Sequence, residues 1–157
     1  KREETNSIAE IKHPSVRECL SYLGFEKGIE IQHNADLPAM SGLGSSSTFT
    51  VGLLHALYAL KGKMTTKRQL ALDAIHIEQE RIGENVGSQD QTVAAFGGLN
   101  KIEFGGYQEI TVRPIIVEQE KINQLQERLM LFFTGFPGMR RKLPVSRSGG
   151  RPKRPMS

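Results

Sequence analysis

"LPAMSGLGSSSTFTVGLLHALYAL", residues 37–60, joins a proline, two closely spaced glycines and three consecutive serines to an apolar run, and its reading sets the fold of the chain. Gly42 and Gly44 allow positive φ and a close approach of backbone to ligand. Ser45, Ser46 and Ser47 supply hydroxyls and N-cap oxygens. The first turn of the helix that follows offers unpaired N–H groups at the positive end of its dipole. Together these features predict an anion site, with phosphate as its commonest occupant. An ordinary strand–turn–helix connection capped by serine fits the same residues.

Two phosphate or nucleophile loops are excluded by the residues themselves. A Walker A loop needs Gly-Lys-Ser/Thr, and no lysine occurs between Lys27 and Lys61. A nucleophile elbow needs Gly-x-Ser-x-Gly, whereas these serines follow both glycines. An anion here is therefore held by backbone amides and hydroxyls, with cationic help from elsewhere, a divalent metal first. Residues 47–60 are apolar on most sides, which predicts a buried helix ended by "KGK".

Beyond that helix, Thr66 and Gln69 have capping-box spacing and open a second helix through about Ile82. Ala71, Ala74, Ile75 and Ile82 mark its apolar stripe, with Gln69, Asp73, His76 and Glu80 opposite. Glu78 stands at i+3 from Ile75 and i+7 from Ala71, so it points with the apolar residues. Such a carboxylate needs a cation or strong donors if buried, unless it snorkels to water at the border of the stripe. Asp90, in "VGSQDQT", precedes a short helix at 91–96. It is either an N-cap or a group that orients or deprotonates a hydroxyl. A phosphate loop, a semi-buried Glu and a loop Asp form the minimum set for metal-assisted phosphoryl transfer.

Upstream of the loop, "HPSVRECLSYLG" predicts a short helix with Pro14 in its first turn and Gly24 at its end. "GIEIQHNADLP" alternates apolar and polar residues as a half-buried strand does. Downstream, "LNKIEF" and "YQEITVRPI" are predicted to be strands joined at Gly105-Gly106. Residues 118–128 are predicted helical, and "LMLFFTG" a buried strand. His13, His33, His55 and His76 lack the spacing of a metal cluster, and His55 is expected to pack or to cap within its helix. Cys19, the single cysteine, has no evident base partner.

A chain of 157 residues with one cysteine and no run of 18 apolar residues is expected to be a soluble, cytoplasmic domain without disulfides. Its formal charge of +4 divides unevenly. Residues 137–157 carry seven Lys/Arg, no acid and four of the seven prolines, leaving 14 basic and 17 acidic residues elsewhere. The expected organisation is a domain over 1–136 and a basic, disordered tail over 137–157. Clustered Lys/Arg suits phosphate neutralisation, but no aromatic is interleaved for stacking, which argues against a nucleic-acid arm.

As a set, these residues resemble the GHMP kinases. "PAMSGLGSSS", Pro38–Ser47, is similar to the family's second signature, Pro-x-x-x-Gly-Leu-Gly-Ser-Ser-Ala/Ser. "EQERIGENVGSQDQ", residues 78–91, resembles the segment in which a metal-binding glutamate precedes the catalytic aspartate by twelve positions, with Gln next. The similarity covers about residues 10–136 and is nearest to the bacterial kinases of heptose 7-phosphate. It implies the two-layer α/β (α+β) amino-terminal domain of the family, a fold shared with the second domain of a small-subunit ribosomal protein, including a left-handed β-α-β crossover. It implies ATP and Mg²⁺, with Pro38, Ser41, Gly42, Leu43, Gly44, Ser45, Ser46 and Ser47 around the ATP phosphates. Ser46 and Glu78 would hold the metal, and Asp90 would meet the sugar hydroxyl. The implied substrate is a sugar phosphate, the anomeric hydroxyl of D-glycero-D-manno-heptose 7-phosphate being nearest, with galactokinase- and fucokinase-like activities as alternatives. The family's first signature strand and glycine-rich third signature have no counterpart here, and "SGG" at 148–150 is too short to replace the latter. The chain is accordingly expected to be a fragment whose tail is out of frame. A non-catalytic nucleotide- or sugar-binding module is the rival expectation.

Overall fold

The structure, a computed structural model, describes residues 3–26, 28–36, 42–106 and 109–132. After a short 3₁₀ turn at Ile8–Glu10, helix α1 spans Pro14–Tyr22. Pro14 starts it with φ already helical, and Gly24 at φ +65° releases the chain after it. Helix α2 spans Ser45–Leu60 and α3 spans Lys67–His76, which continues into a π turn at Ile77–Arg81. Helix α4 covers Gln89–Phe96, strands β1 and β2 cover Asn100–Phe104 and Ile110–Pro114, and α5 covers Gln119–Gln126.

Three helices form the centre. α2, α3 and α4 pack mutually, and α1 lies across α2 and the π turn. Cys19 and Leu20 from α1, Val51, Leu53, Leu54 and Leu57 from α2, Leu70 and Ala74 from α3, and Ile77 make the buried core. The apolar run at 47–60 thus buries one side only. His55 and Ala56 are exposed and Leu60 is 65% exposed, so the helix is less buried than its apolar run predicts and His55 is not packed inside. Much of the remaining apolar face lines a cavity of about 630 Å³ under residues 29–36. Those residues run alongside α2 without forming the expected strand. A strand needs a neighbour for its N–H and C=O groups, and no described residue supplies one.

β1 and β2 pair antiparallel in a two-stranded sheet, Ile102 opposite Val112 and Phe104 opposite Ile110. Gly105 N–H donates to the Glu109 carbonyl at the turn, as the hairpin reading requires. Arg68 Nη1 donates to the Ile110 carbonyl at 2.7 Å and ties the hairpin to α3. The β-α-β crossover implied by the resemblance is not formed among the described residues. Residues 129–132 form no strand and are 66–82% exposed, so the buried-strand expectation fails there. The rest of that segment, the 136/137 boundary and the basic tail lie outside the described residues.

On α3 the Thr66 cap forms: its Oγ1 accepts from Gln69 N–H at 3.1 Å. The reciprocal half of the capping box does not. Gln69 Nε2 instead donates to Asp73 at 2.9 Å, and Asp73 also accepts from Tyr22 Oη at 2.9 Å and Tyr58 Oη at 2.7 Å. Asp73 is therefore only 3% exposed, not on a solvated face, because three donors replace its water. Burial, then hydrogen bonding to Asp73, raises both tyrosine hydroxyls above their ordinary value.

Candidate active site

The glycine-serine loop is built without a side-chain cap. Gly44 is the N-cap of α2, in the left-handed region at φ +72°, ψ +19°, and no side chain among the described residues caps the helix. The serines fall inside the first turn, so the serine-capped connection is not what forms. The first N–H groups of that turn have no side-chain cap, which suits an anion. Gly42 also has positive φ, at +77°. Ser46 is exposed, Ser45 half-buried and Leu43 47% exposed. Pro38 and Ser41 lie outside the described residues.

Glu78 is placed by the π turn. Ile82 N–H donates to the Ile77 carbonyl, five residues back, and Glu84 N–H to the Glu78 carbonyl, each at 2.9 Å. This widened turn lets consecutive residues face inward: Ile77 is 0% and Glu78 1% exposed. The Glu78 carboxylate is therefore buried, not snorkelling. Its Oε2 accepts from Ser47 Oγ at 2.8 Å and from Gln91 Nε2. Its Oε1 is buried with no partner. A buried unsatisfied acceptor costs about 1–3 kcal/mol, and more when charged.

Asp90 is the second residue of α4, behind Ser88 at the N-cap, so it does not cap that helix. It is exposed and has no hydrogen-bond partner among the described residues. Its carboxylate stands over the glycine loop: a Cβ built on Gly44 would lie 3.0 Å from Asp90 Cγ and 3.1 Å from its Oδ2. Between Glu78 and Asp90, Gln79 Nε2 donates to the Val86 carbonyl at 2.9 Å and bridges the loop. Arg81 pairs with Glu18 at 3.0 Å and fastens the π turn to α1.

The structure thus brings Gly44, Ser47, Glu78 and Asp90 together. Ser46, expected to hold the metal with Glu78, is exposed, and it is Ser47 that hydrogen-bonds to Glu78: neighbouring residues on a helix diverge by about 100°. Sequence reasoning missed the burial of Gln91, which is 0% exposed. Its only signal was its place directly after Asp90. Glu80 pairs with His76 at 3.0 Å at the surface, as its polar face predicts. Cys19 lies buried, and burial followed by the charges of Glu78 and Glu18 pushes its thiol up to about 12, which removes it as a nucleophile.

Among the described residues no cluster of three or more His, Cys, Asp or Glu could hold a metal alone. One carboxylate with an orphaned oxygen beside hydroxyls nevertheless fits Mg²⁺. That ion is commonly held by one or two carboxylates plus substrate phosphates and water.

Comparison with known proteins identifies the family. The chain belongs to the GHMP kinase family, whose N-terminal domain matches residues 10–98. Its sequence is 36% identical over 100 residues to the D-glycero-alpha-D-manno-heptose 7-phosphate kinase of Campylobacter jejuni, covering 64% of this chain and 30% of that protein. It is 28% identical over 110 residues to the bifunctional fucokinase/GDP-fucose pyrophosphorylase of Arabidopsis thaliana, covering 69% and 10% respectively. The crystal structure of a D-glycero-D-manno-heptose 1-phosphate kinase from Bacteriodes thetaiotaomicron superposes with a TM-score of 0.65 at 30% identity, covering 71% of this chain and 37% of that one. The chain spans no more than 30% of either curated relative. No helix among the described residues is long and apolar enough to cross a membrane.

Proposed function

We propose that this chain carries the phosphate- and metal-binding part of an ATP-dependent sugar kinase acting on a sugar phosphate, the anomeric hydroxyl of D-glycero-D-manno-heptose 7-phosphate being the preferred acceptor. One observation carries the reading: a buried Glu78 with an orphaned oxygen sits beneath an uncapped glycine-serine helix start, with Asp90 over its mouth. The N–H groups of residues 45–47 bind the ATP phosphates. Glu78, with Ser46 on the exposed side, holds Mg²⁺, which when bound neutralises phosphate charge. The cavity beside Leu43, Ser45 and Thr48 has room for the nucleoside.

In the reaction the sugar hydroxyl oxygen forms a bond to the γ-phosphorus as the bond to the bridging oxygen of ADP breaks. Asp90 orients that hydroxyl and accepts its proton. Catalysis is then mainly positioning plus charge neutralisation, which suits a site with no covalent nucleophile. The likeness to a heptose 7-phosphate kinase supports the acceptor.

Isothermal titration of ATP with Mg²⁺, followed by a coupled assay over heptose, galactose and fucose and their phosphates, tests the proposal. Saturable, Mg²⁺-dependent nucleotide binding and turnover of a heptose phosphate are expected. Absence of nucleotide binding overturns the reading, and turnover of an unphosphorylated hexose reassigns the acceptor.

A further inference from the structure

Gln91 lies on α4, Glu78 on the π turn and Ser47 on α2, so three elements converge on one carboxylate. Gln91 Nε2 donates to Glu78 Oε2, so the amide nitrogen faces the carboxylate. That fixes the amide orientation and turns Gln91 Oε1 the other way. Both donors use Glu78 Oε2, which leaves Oε1 over. The consequence is specific: Glu78 Oε1 and Gln91 Oε1 are the only two buried side-chain nitrogen or oxygen atoms without a partner among the described residues. Elsewhere buried polar groups such as Asp73 are fully engaged, so the fold does not leave such atoms loosely.

Two orphaned acceptors on a hydrogen-bonded pair of side chains suit an occupant that is positive on one side and donates hydrogen bonds on the other. A hydrated divalent cation is such an occupant: the ion meets the carboxylate oxygen, and its water donates to the amide oxygen. We propose that Gln91 is a positioning residue of the metal site, its nitrogen fixing the carboxylate of Glu78 and its oxygen accepting from a water on the cation. The inference rests on Glu78 being a metal ligand, as read above. It goes further in giving the site an outer partner whose removal weakens the metal directly. Outer partners of this kind are typically worth about 10–100-fold in metal affinity.

The test uses the full chain and Mn²⁺, free and with ATP, with binding followed by electron paramagnetic resonance alongside thermal melts. Gln91→Leu, similar in volume but without donor or acceptor, is expected to weaken Mn²⁺ by about 10–100-fold. Gln91→Asn, which keeps both the amide donor and the acceptor oxygen on a shorter stem, is expected to lose less Mn²⁺ affinity than the apolar variant. If Gln91→Leu does not melt cooperatively, Gln91→Met, also apolar and unbranched, is read in its place. Parent-like Mn²⁺ affinity in the apolar variant, with Glu78→Gln having lost the ion, overturns the role of Gln91 and leaves the metal reading intact. A parent chain that binds no Mn²⁺ with or without ATP overturns both.

Discussion

Asp90 and Glu78 are two carboxylates 12 positions apart with opposite environments, and the proposed reaction gives them different roles. Asp90 is exposed and unpartnered among the described residues, as a group that must meet an incoming hydroxyl should be. Asp90→Asn keeps the shape and removes the basicity. On the proposed reaction, kcat should fall by about 100-fold or more while nucleotide binding persists in titration; near-unchanged kcat would reduce Asp90 to a spectator. Glu78 is 1% exposed and held by two donors, as a ligand that must not move should be. Glu78→Gln should raise the Mg²⁺ concentration needed for half-maximal nucleotide binding. Both carboxylates were legible in the sequence, one by its place on an apolar stripe and one by its glycine-containing loop. The Ser47–Glu78 hydrogen bond was not, because it depends on where the helix begins, and that was set by Gly44.

Among elements, the start of α2 and the π turn do most to shape the site. Gly44 holds a left-handed conformation and lies under Asp90, so Gly44→Ala meets both backbone strain and a side-chain clash. Its melting temperature should drop, and nucleotide affinity should fall by more than that instability explains, since Asp90 is pushed from the loop. A loss confined to stability would mean that the loop and Asp90 act independently. On α3, Thr66→Ala removes one cap bond and should cost about 1 kcal/mol in denaturant unfolding, without changing nucleotide affinity. The helices were readable from periodicity and caps. The π turn was not, because a widened turn has no sequence period of its own, and it shows only as Ile77 and Glu78 being buried together. Residues 29–36 had the alternation of a strand, but a strand is a property of two segments, and only one is described. Asp73 was assigned to the solvated face because its partners, Tyr22 and Tyr58, come from other helices.

For the molecule as a whole, Cys19, Tyr22 and Tyr58 link stability to alkaline pH. The folded state holds the Cys19 proton up to about 12, against an ordinary 9.0. Between those values the unfolded chain binds fewer protons than the folded one, so stability falls as pH rises. The two tyrosines, raised in the same direction, add to the loss above pH 10. Melts from pH 8 upward should show a steady decline beginning near 9, and Cys19→Ser should remove its first part. A flat profile would mean that Cys19 is hydrated. Iodoacetamide should label Cys19 at the rate of unfolding, not at that of an exposed thiol. The GHMP membership of the whole was carried by two short motifs, "GLGSSS" and the Glu78–Asp90 spacing, because they fix backbone geometry and chemistry together.

The stance of Asp90 over Gly44 has one more outcome, which concerns charge. A negative group at the rim of an anion cradle repels the anion the cradle would otherwise attract. On the proposed reading the loop should therefore discriminate: bare phosphate, sulfate or uncomplexed ATP would meet repulsion from Asp90 and Glu78, whereas a phosphate chain already carrying a divalent cation would not. A kinase site so arranged would reject its nucleotide until the metal had arrived, and the cation would become the admission condition for the phosphate.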